Sequence, residues 1–492
     1  MKIKIILCSM LVIVMAHTAK SQHDGFKLSS YTPPAYSYKS LDLYYDLSGY
    51  AIRQTTHLDD VLTQKNIVNY FSTSITPKYY SYSNSDKYQG STSLLLYAGI
   101  SANKNDPNAV NKDSHTQGGN SVKLYYDGTN RFYFSNLRFL EIDPVVRLVT
   151  QTTKYTDKDY QYDTLVSDNS TKLWNPYITA SVPIFHGYGR IDDVTDARHA
   201  LYILDGLQQS GRLSRETGSD DILKLAAGIT KIKNKRFFDS RQRRIAELVT
   251  LDSLLQATGL KGESDAVYFA ILNDEWVNSG NIRRNSGFRL YGGILPELQF
   301  NHSLNKTDLK LAPELNSKSW DNTSVGYIGL EAGFISEKPL SLKWQSTISA
   351  SAGYGIEQNL IKDKILLPDP VGPRVWKSNQ QRGTLSASYG LGYYPDSRTW
   401  LKAGISTYDY YYGKGTDKPY AGDEKDMNPS LNLSLGPDVS AYFYFSPQLR
   451  LEFSGRMYYS YNWTENANVM INHTKTNGWN LYLNSRLTYS LF

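Results

Sequence analysis

A membrane-spanning antiparallel β-barrel is the fold this sequence predicts. Three observations predict it: long stretches with a strict period of two, links between them that alternate between short and long, and an excess of tyrosine. The clearest stretch is 340–356. Leu340, Leu342, Trp344, Ile348, Ala350, Ala352, Tyr354 and Ile356 fall on one side, and Ser341, Lys343, Gln345, Thr347, Ser349, Ser351, Gly353 and Gly355 on the other. Successive side chains of a strand point to opposite faces, so this is a strand with one apolar and one polar face. Strands of soluble domains usually stop at about five or six residues, and soluble sandwiches turn every eight to twelve or so. A barrel wall in lipid fits the longer repeat. About nine to eleven residues cross the membrane, the apolar face meets hydrocarbon, the polar face lines a lumen, and closure pairs every backbone group.

The second half of the chain contains eight such strands, at 287–300, 325–335, 340–356, 384–394, 399–411, 431–445, 449–463 and 479–492. The links 336–339, 395–398 and 446–448 are tight, whereas 301–324, 357–383, 412–430 and 464–478 are long and polar. Bacterial membrane barrels have short periplasmic turns and long external loops, so the long links are expected outside. The first half adds six strands, at 41–52, 67–80, 91–101, 122–140, 145–154 and 173–185, with loops near 53–66, 102–120 and 155–172. The total is about fourteen, an even number that puts both ends on the periplasmic side. Asp127-Gly128, a strong hairpin signal, interrupts the fourth strand and leaves a range of about twelve to sixteen.

Composition agrees. The 492 residues hold 40 Tyr and 8 Trp against 16 Phe, and Tyr and Trp concentrate where hydrocarbon meets water, so two aromatic girdles are expected. The mean hydropathy of −0.46 averages each apolar strand position with a polar neighbour. The net charge of +6 is modest for this length, and no basic-aromatic module points to nucleic acid. At the start, Lys2 and Lys4 precede an apolar run at 5–16, and Ala19 and Ser21 stand before Gln22, the pattern of a cleavable signal peptide over 1–21. Cys8 lies in that run and is the single cysteine, so the mature chain offers no thiol for disulfides, metal or catalysis.

The final strand places Trp479, Leu481, Leu483, Leu487, Tyr489 and Leu491 on one face and Asn480, Asn484, Arg486, Thr488 and Ser490 on the other, and it stops at Phe492. An amphipathic strand ending on an aromatic residue resembles the assembly signal of Gram-negative outer-membrane β-barrel proteins, here Tyr489, Leu491 and Phe492, although Phe492 falls on the opposite parity from the apolar face. The tyrosine-rich composition and the Gln22 start are similar to Bacteroidota examples. The resemblance implies an outer-membrane location, contact with outer-membrane lipid, and recognition by the barrel-assembly machinery.

Between the barrel halves, 22–188 and 284–492, the period changes from two to 3.6 over 189–283. Ala197, Ala200, Leu201, Leu204 and Leu207 share one helical face, and Ile245, Leu248, Leu251 and Leu255 another. Ser219 and Ser264 have N-cap chemistry, and Gly211 and Gly259 look like helix stops. Four helices on the periplasmic side are expected, acting as a gate, a plug or a dock for a periplasmic partner, with a purely stabilising cap as the plain alternative. Lys231, Lys233, Lys235, Arg236, Arg241, Arg243 and Arg244 oppose only Asp239, a cluster able to hold an acidic glycan, a lipid phosphate or a protein partner, or simply to face solvent.

On the polar strand face, Glu331, Lys343, Lys402, Arg450, Glu452, Arg456 and Arg486 are expected to line a wet lumen, because Lys or Arg facing lipid costs about 2–4 kcal/mol at the midplane. Gly329, Gly333, Gly353, Gly355, Gly390, Gly392 and Gly436 occupy the same face, where they either admit a lumen occupant or serve curvature. At about fourteen strands the lumen exceeds what side chains fill. No Gly-x-Ser-x-Gly elbow, His-Glu-x-x-His or phosphate loop occurs, and His57, His115, His302 and His473 are scattered over external links. The expectation is therefore a pore without catalytic residues, metal or cofactor. A non-conducting adhesion or scaffold barrel is the alternative, and a barrel hydrolase a more distant one.

Overall fold

The computed structural model describes residues 26–489 apart from 59–60, 107–111, 162–163, 236–239, 280–281, 368–371, 420–424, 446–448 and 469–470. The expected signal peptide, and Leu491 and Phe492, lie outside the described residues. In chain order the first half contains β1 (Tyr36–Leu58), β2 (Val61–Asn84), β3 (Tyr88–Asp106), β4 (Ser114–Tyr133), β5 (Arg138–Ile142), β6 (Val145–Gln161), β7 (Thr164–Ser181) and β8 (Ile184–Asp193). Four helices follow: α1 (Thr195–Gln209), α2 (Ser219–Lys233), α3 (Ser240–Ala257) and α4 (Ala266–Asn278). The second half contains β9 (Asn285–Leu309), β10 (Ser317–Pro339), β11 (Trp344–Leu367), β12 (Arg374–Tyr393), β13 (Trp400–Lys418), β14 (Lys425–Met427), β15 (Ser430–Tyr444), β16 (Leu449–Asn468) and β17 (Ile471–Tyr489).

All strand pairs are antiparallel, and the seventeen strands occupy fourteen columns, because three columns are each interrupted once at a proline. β5 and β6 both pair with β4 and are separated by Asp143-Pro144. β7 and β8 both pair with β9 across Val182-Pro183, and β14 and β15 both pair with β13 across Asn428-Pro429. Proline has no N–H for the ladder and breaks the strand without ending the column. Backbone bonds carry the pairing through two of the breaks: Gly128 N to Pro144 O at 2.9 Å, Asp143 N to Pro183 O at 3.1 Å and Val182 N to Pro296 O at 3.3 Å.

Two expectations are corrected. β4 runs straight through Asp127-Gly128, and the turn falls later, where Asn136 and Leu137 take φ of 60° and 61° and Phe134 N bonds Arg138 O. Residues from Arg138 onward therefore belong to the next column, not to a strand 122–140. The long polar links are also strand for most of their length: β9 continues to Leu309 before β10 starts at Ser317, and β11 continues to Leu367 before β12 starts at Arg374. The reason is that hydropathy alternates only where one face meets lipid. Above that level both faces are wet, the backbone still pairs, and the sequence signal disappears. On β9 the outward positions Phe288, Leu290, Ile294, Leu298 and Phe300 are exposed apolar residues, while His302, Lys306 and Asp308 follow on the same face.

Curvature identifies the concave face. Glu297 on β9 and Arg382 on β12 lie three strand spacings apart, about 14 Å on a flat sheet, yet they form an ion pair. Side chains that far apart meet only if the sheet bends toward them. The registers then assign one parity of every strand to this inner face. Many glycines on the wall are covered by tyrosine: a Cβ on Gly329 would lie 2.2 Å from the Tyr327 hydroxyl, and one on Gly333 2.4 Å from the Tyr291 ring. Aromatic rings laid over strand glycines protect an otherwise bare backbone. Part of the tyrosine excess therefore lines the lumen side, rather than serving only as girdles. Gly355 has a different need, since its Cβ would stand 2.3 Å from the Ile328 carbonyl oxygen.

The ladders run unbroken from β1 to β17, and among the described residues none joins these two margins. Both margins are exposed on both faces along most of their length. They run antiparallel, with Leu41, Leu43, Tyr45 and Leu47 of β1 on the same outward side as Trp479, Leu481, Leu483 and Leu487 of β17.

Among the described residues the compact apolar core belongs to the helices. Leu201, Leu204, Leu207, Ile222, Leu225, Ile229, Leu251, Leu255 and Leu272 are fully or almost fully buried, each contributing about 1.5–3 kcal/mol. Leu28 and Tyr31 from the segment before β1 join this core, and the Tyr31 hydroxyl meets Thr230 Oγ1 at 2.8 Å. Gly211 and Gly259 end α1 and α3 with φ of +69° and +67°. The caps sit one residue from the expected sites: Gly218 caps α2, its N–H bonding Asp221, and Asp265 caps α4 by accepting from Tyr268 N at 2.9 Å. Ile245 is exposed rather than on the core face of α3.

Candidate functional site

The helical unit lies across the short-turn end of the wall. Its described polar contacts all reach strand ends or turns there, and none reaches mid-strand, which is a cap at the mouth rather than a plug in the lumen. Two fully buried arginines make the attachment. Arg284, just before β9, donates to Leu342 O (2.7 Å), Ser341 O (3.0 Å), Trp344 O (2.9 Å) and Gln345 Oε1 (2.8 Å), so it fills the β10–β11 turn, and it stands over the Tyr394 ring at 4.6 Å. Arg198 of α1 donates to Asp396 O in the β12–β13 turn at 2.9 Å and lies over the rings of Tyr202 and Tyr394. Arg398 in the same turn pairs with Asp274 of α4. Burial, and then the neighbouring Arg198 charge, push the Arg284 guanidinium down to about 10, so it stays charged at neutral pH. Carbonyl oxygens and a ring face contact that charge directly, and the Glu337 carboxylate acts on it only at longer range.

On the other side of the mouth, Arg190 at the end of β8 donates to Ser85 O (3.0 Å) and Asn84 Oδ1 (2.9 Å) at the β2–β3 turn and pairs with Asp192 (2.8 Å). Gly189 and Gly287, which face Arg289 and Ile191 at the foot of β8–β9, take φ of +103° and +126°, and a Cβ on Gly287 would come within 2.0 Å of Arg190 O. Only glycine permits this twist as the wall hands over to the helices.

Midway along the inner face, Arg382 is held by Glu297 and Glu357 (3.0 Å) and lies 3.5 Å from the centroid of the Tyr327 ring. These groups border a 620 Å³ cavity against the inner wall whose other side carries Tyr125, Arg147 and Tyr177. Nearer the short-turn end, Arg131 and Arg289 share Glu141 at 2.6 and 3.5 Å, with Arg131 and Glu141 buried and Arg289 partly so.

Of the residues expected to line the lumen, Glu331, Lys402, Arg450, Glu452, Arg456 and Arg486 share the inner parity. Glu331 accepts from the Tyr291 hydroxyl at 3.4 Å, Arg456 stands opposite Asp438, and Glu452 opposite Arg486. Lys343 does not, because the 340–343 segment is the β10–β11 turn and its carbonyl accepts from Tyr394 N. The basic cluster is partly consumed within the helical unit: Lys233 pairs with Asp196 at 2.6 Å, Arg243 with Glu247 at 2.6 Å, and Arg244 donates to Asn273 at 3.2 Å. Lys231 is exposed on α2, Lys235 follows that helix, Arg241 falls in α3, and Arg236 lies outside the described residues. Tyr489 ends β17, exposed. Sequence reading missed Arg198, Arg284, Glu297, Glu357 and Arg382; for Glu297, extending the alternation of its strand by parity gives the lumen face. Among the described residues no group of three His, Cys, Asp or Glu could hold a metal ion.

No protein family matches the chain at the level of sequence, and no curated protein does. Solved structures similar to it include the translocator domain of the autotransporter NalP from Neisseria meningitidis, at 10% identity over 86% of this chain and 90% of that one, with a TM-score of 0.23. The ferric yersiniabactin uptake receptor FyuA from Yersinia pestis is 7% identical over 93% of this chain and 72% of that one, with a TM-score of 0.31. The CymD monoaromatic hydrocarbon channel is 12% identical over 93% and 89%, with a TM-score of 0.16.

Proposed function

We propose that the chain is an outer-membrane transport pore whose periplasmic mouth is controlled by the four-helix cap. The observation that carries this reading is the pairing of a polar, mixed-charge inner face over fourteen columns with a helical unit fastened across the short-turn end by Arg198 and Arg284. A wall of that many strands is wider than its own side chains fill, and charges of both signs on it tune which solutes pass. The cap touches the wall at discrete turns, so it can release one side without unfolding the barrel. Conductance in planar bilayers tests the idea. Full-length protein is expected to conduct in small or rare steps, and a chain with 189–283 replaced by a short Gly-Ser turn in larger, steady ones. Silence in both forms refutes the pore.

A second reading has one observation in its favour. The hairpins β9–β10 and β11–β12 continue well beyond the apolar belt, presenting paired polar backbone at the far end, which suits an adhesion surface. That reading predicts the silent outcome.

A further inference from the structure

We propose that the cleft between the foot of β1–β2 and the helical cap is a binding site for an uncharged glycan chain. The cleft has a volume of 410 Å³, inside the range of about 300–1,000 Å³ typical of small-molecule sites. One wall is a ladder of four tyrosines on two adjacent strands, with Tyr36 and Tyr82 centroids 5.6 Å apart and Tyr38 and Tyr80 6.3 Å apart, and Trp276 of α4 stands on the cap side. Aromatic faces accept the C–H face of a pyranose ring while phenol hydroxyls bond its hydroxyls, and successive rings offer successive sugar positions.

The charged groups select against a polyelectrolyte. The lining holds three acids, Asp193, Asp196 and Glu247, and three bases, Lys233, Arg243 and Arg283. Two of the bases are already spent on two of the acids, in the Lys233–Asp196 and Arg243–Glu247 pairs, and Glu247 also accepts from Trp276 Nε1 at 2.8 Å. A polyanion would have to break those pairs, whereas a neutral sugar needs only the lone pairs and N–H groups they leave over. The inference therefore replaces the polyanion reading of the basic cluster. It goes beyond the pore reading, because the cleft lies at the edge of the cap and its occupation does not require conduction.

Isothermal titration of the detergent-solubilised full chain with maltotetraose, tetra-N-acetylchitotetraose and a heparin tetrasaccharide tests it. At least one neutral tetrasaccharide is expected to bind, with affinity unchanged by added salt and roughly fivefold weaker in Tyr38→Ala and in Tyr80→Ala. Tyr38→Phe, which keeps the ring and loses only the hydroxyl, is expected to weaken binding less than Tyr38→Ala does. No heat with either neutral sugar, affinity indifferent to the alanine variants, loss in Tyr38→Phe equal to that in Tyr38→Ala, or tighter and salt-sensitive binding of the heparin fragment would each overturn the proposal.

Discussion

Replacing Arg284 by alanine is the most direct way to detach the cap. The side chain is 1% exposed and makes four hydrogen bonds of 2.7–3.0 Å, three of them to carbonyl oxygens of one tight turn. Bonds from a charged donor are worth about 1.5–3 kcal/mol each, but the truncated side chain also removes the cost of burying its own charge. The carbonyls of Ser341 and Leu342 then lose this donor, while Trp344 O keeps the N–H groups of Leu340 and Ser341, and a net loss of roughly 3–5 kcal/mol is expected, the range found when one member of a buried charged cluster is removed. At 1.4 kcal/mol per tenfold, local opening of the cap becomes about two to four powers of ten more frequent. Hydrogen exchange in nanodiscs reads this by location. Amides of α1, α4 and the 340–345 turn should lose protection, while those of 348–356 in the middle of β11 should not. Arg284→Lys should fall between, because one ammonium cannot span the same acceptors. Unchanged protection in α1 and the turn would refute the attachment role, and equal loss in β11 would mean that the variant unfolds the wall instead.

Two further outcomes follow from the geometry. Asp265 is held down to about 2 from its ordinary 3.8, chiefly by the Arg212 guanidinium and then by the Tyr268 N–H it caps, so its contribution to the cap is complete above about pH 4 and is lost as the pH falls through about 2. In acid titrations followed by helical circular dichroism, Asp265→Asn keeps a capping oxygen without the charge and should flatten this loss; identical curves for the two proteins would contradict it. At the seam, the parity of β1 and β17 permits a register with Asp42 facing Arg486 and Tyr44 facing Asn484, and unpaired edges in hydrocarbon are costly. The double variant Tyr44→Cys, Asn484→Cys should therefore form an intramolecular disulfide in membranes, and exclusive formation of crosslinked dimers would show that each edge pairs with another copy.

Much of the fold was legible because lipid imposes a pattern. Fourteen columns follow from counting stretches of alternating hydropathy, and the change to a period of 3.6 marks the helices between Asp193 and Asn285. What the pattern encodes is the medium on each face, not the backbone. Trp320, Asp321, Asn322 and Thr323 belong to β10 as firmly as Ile328 and Leu330, yet with water on both sides nothing forces their side chains to alternate, and the segment reads as loop. Proline misleads in the opposite sense. Pro144 and Pro183 look like strand ends, but each interrupts a column that resumes in register on the far side.

The lumen residues were partly readable for the same reason, since parity alone carries Lys402, Arg456 and Arg486 inward. The fastening of the cap was not, and the cause lies in the partners. Arg198 and Arg284 are bound by carbonyl oxygens of two turns and by the ring of Tyr394, and a carbonyl oxygen is present at every residue, so no spacing or complementary charge in the sequence marks the contact. Paired carboxylates would have marked it, as the Arg398–Asp274 pair does, but they would also have made the attachment respond to acid. The Arg198 and Arg284 contacts to backbone acceptors keep their strength at any pH where the guanidinium is charged, whereas the Arg398–Asp274 pair weakens in acid. Control of the mouth, on the proposed function, therefore falls chiefly to a ligand or partner that competes for the helices, and the proposed glycan cleft beside α1, α3 and α4 is placed where such competition would act.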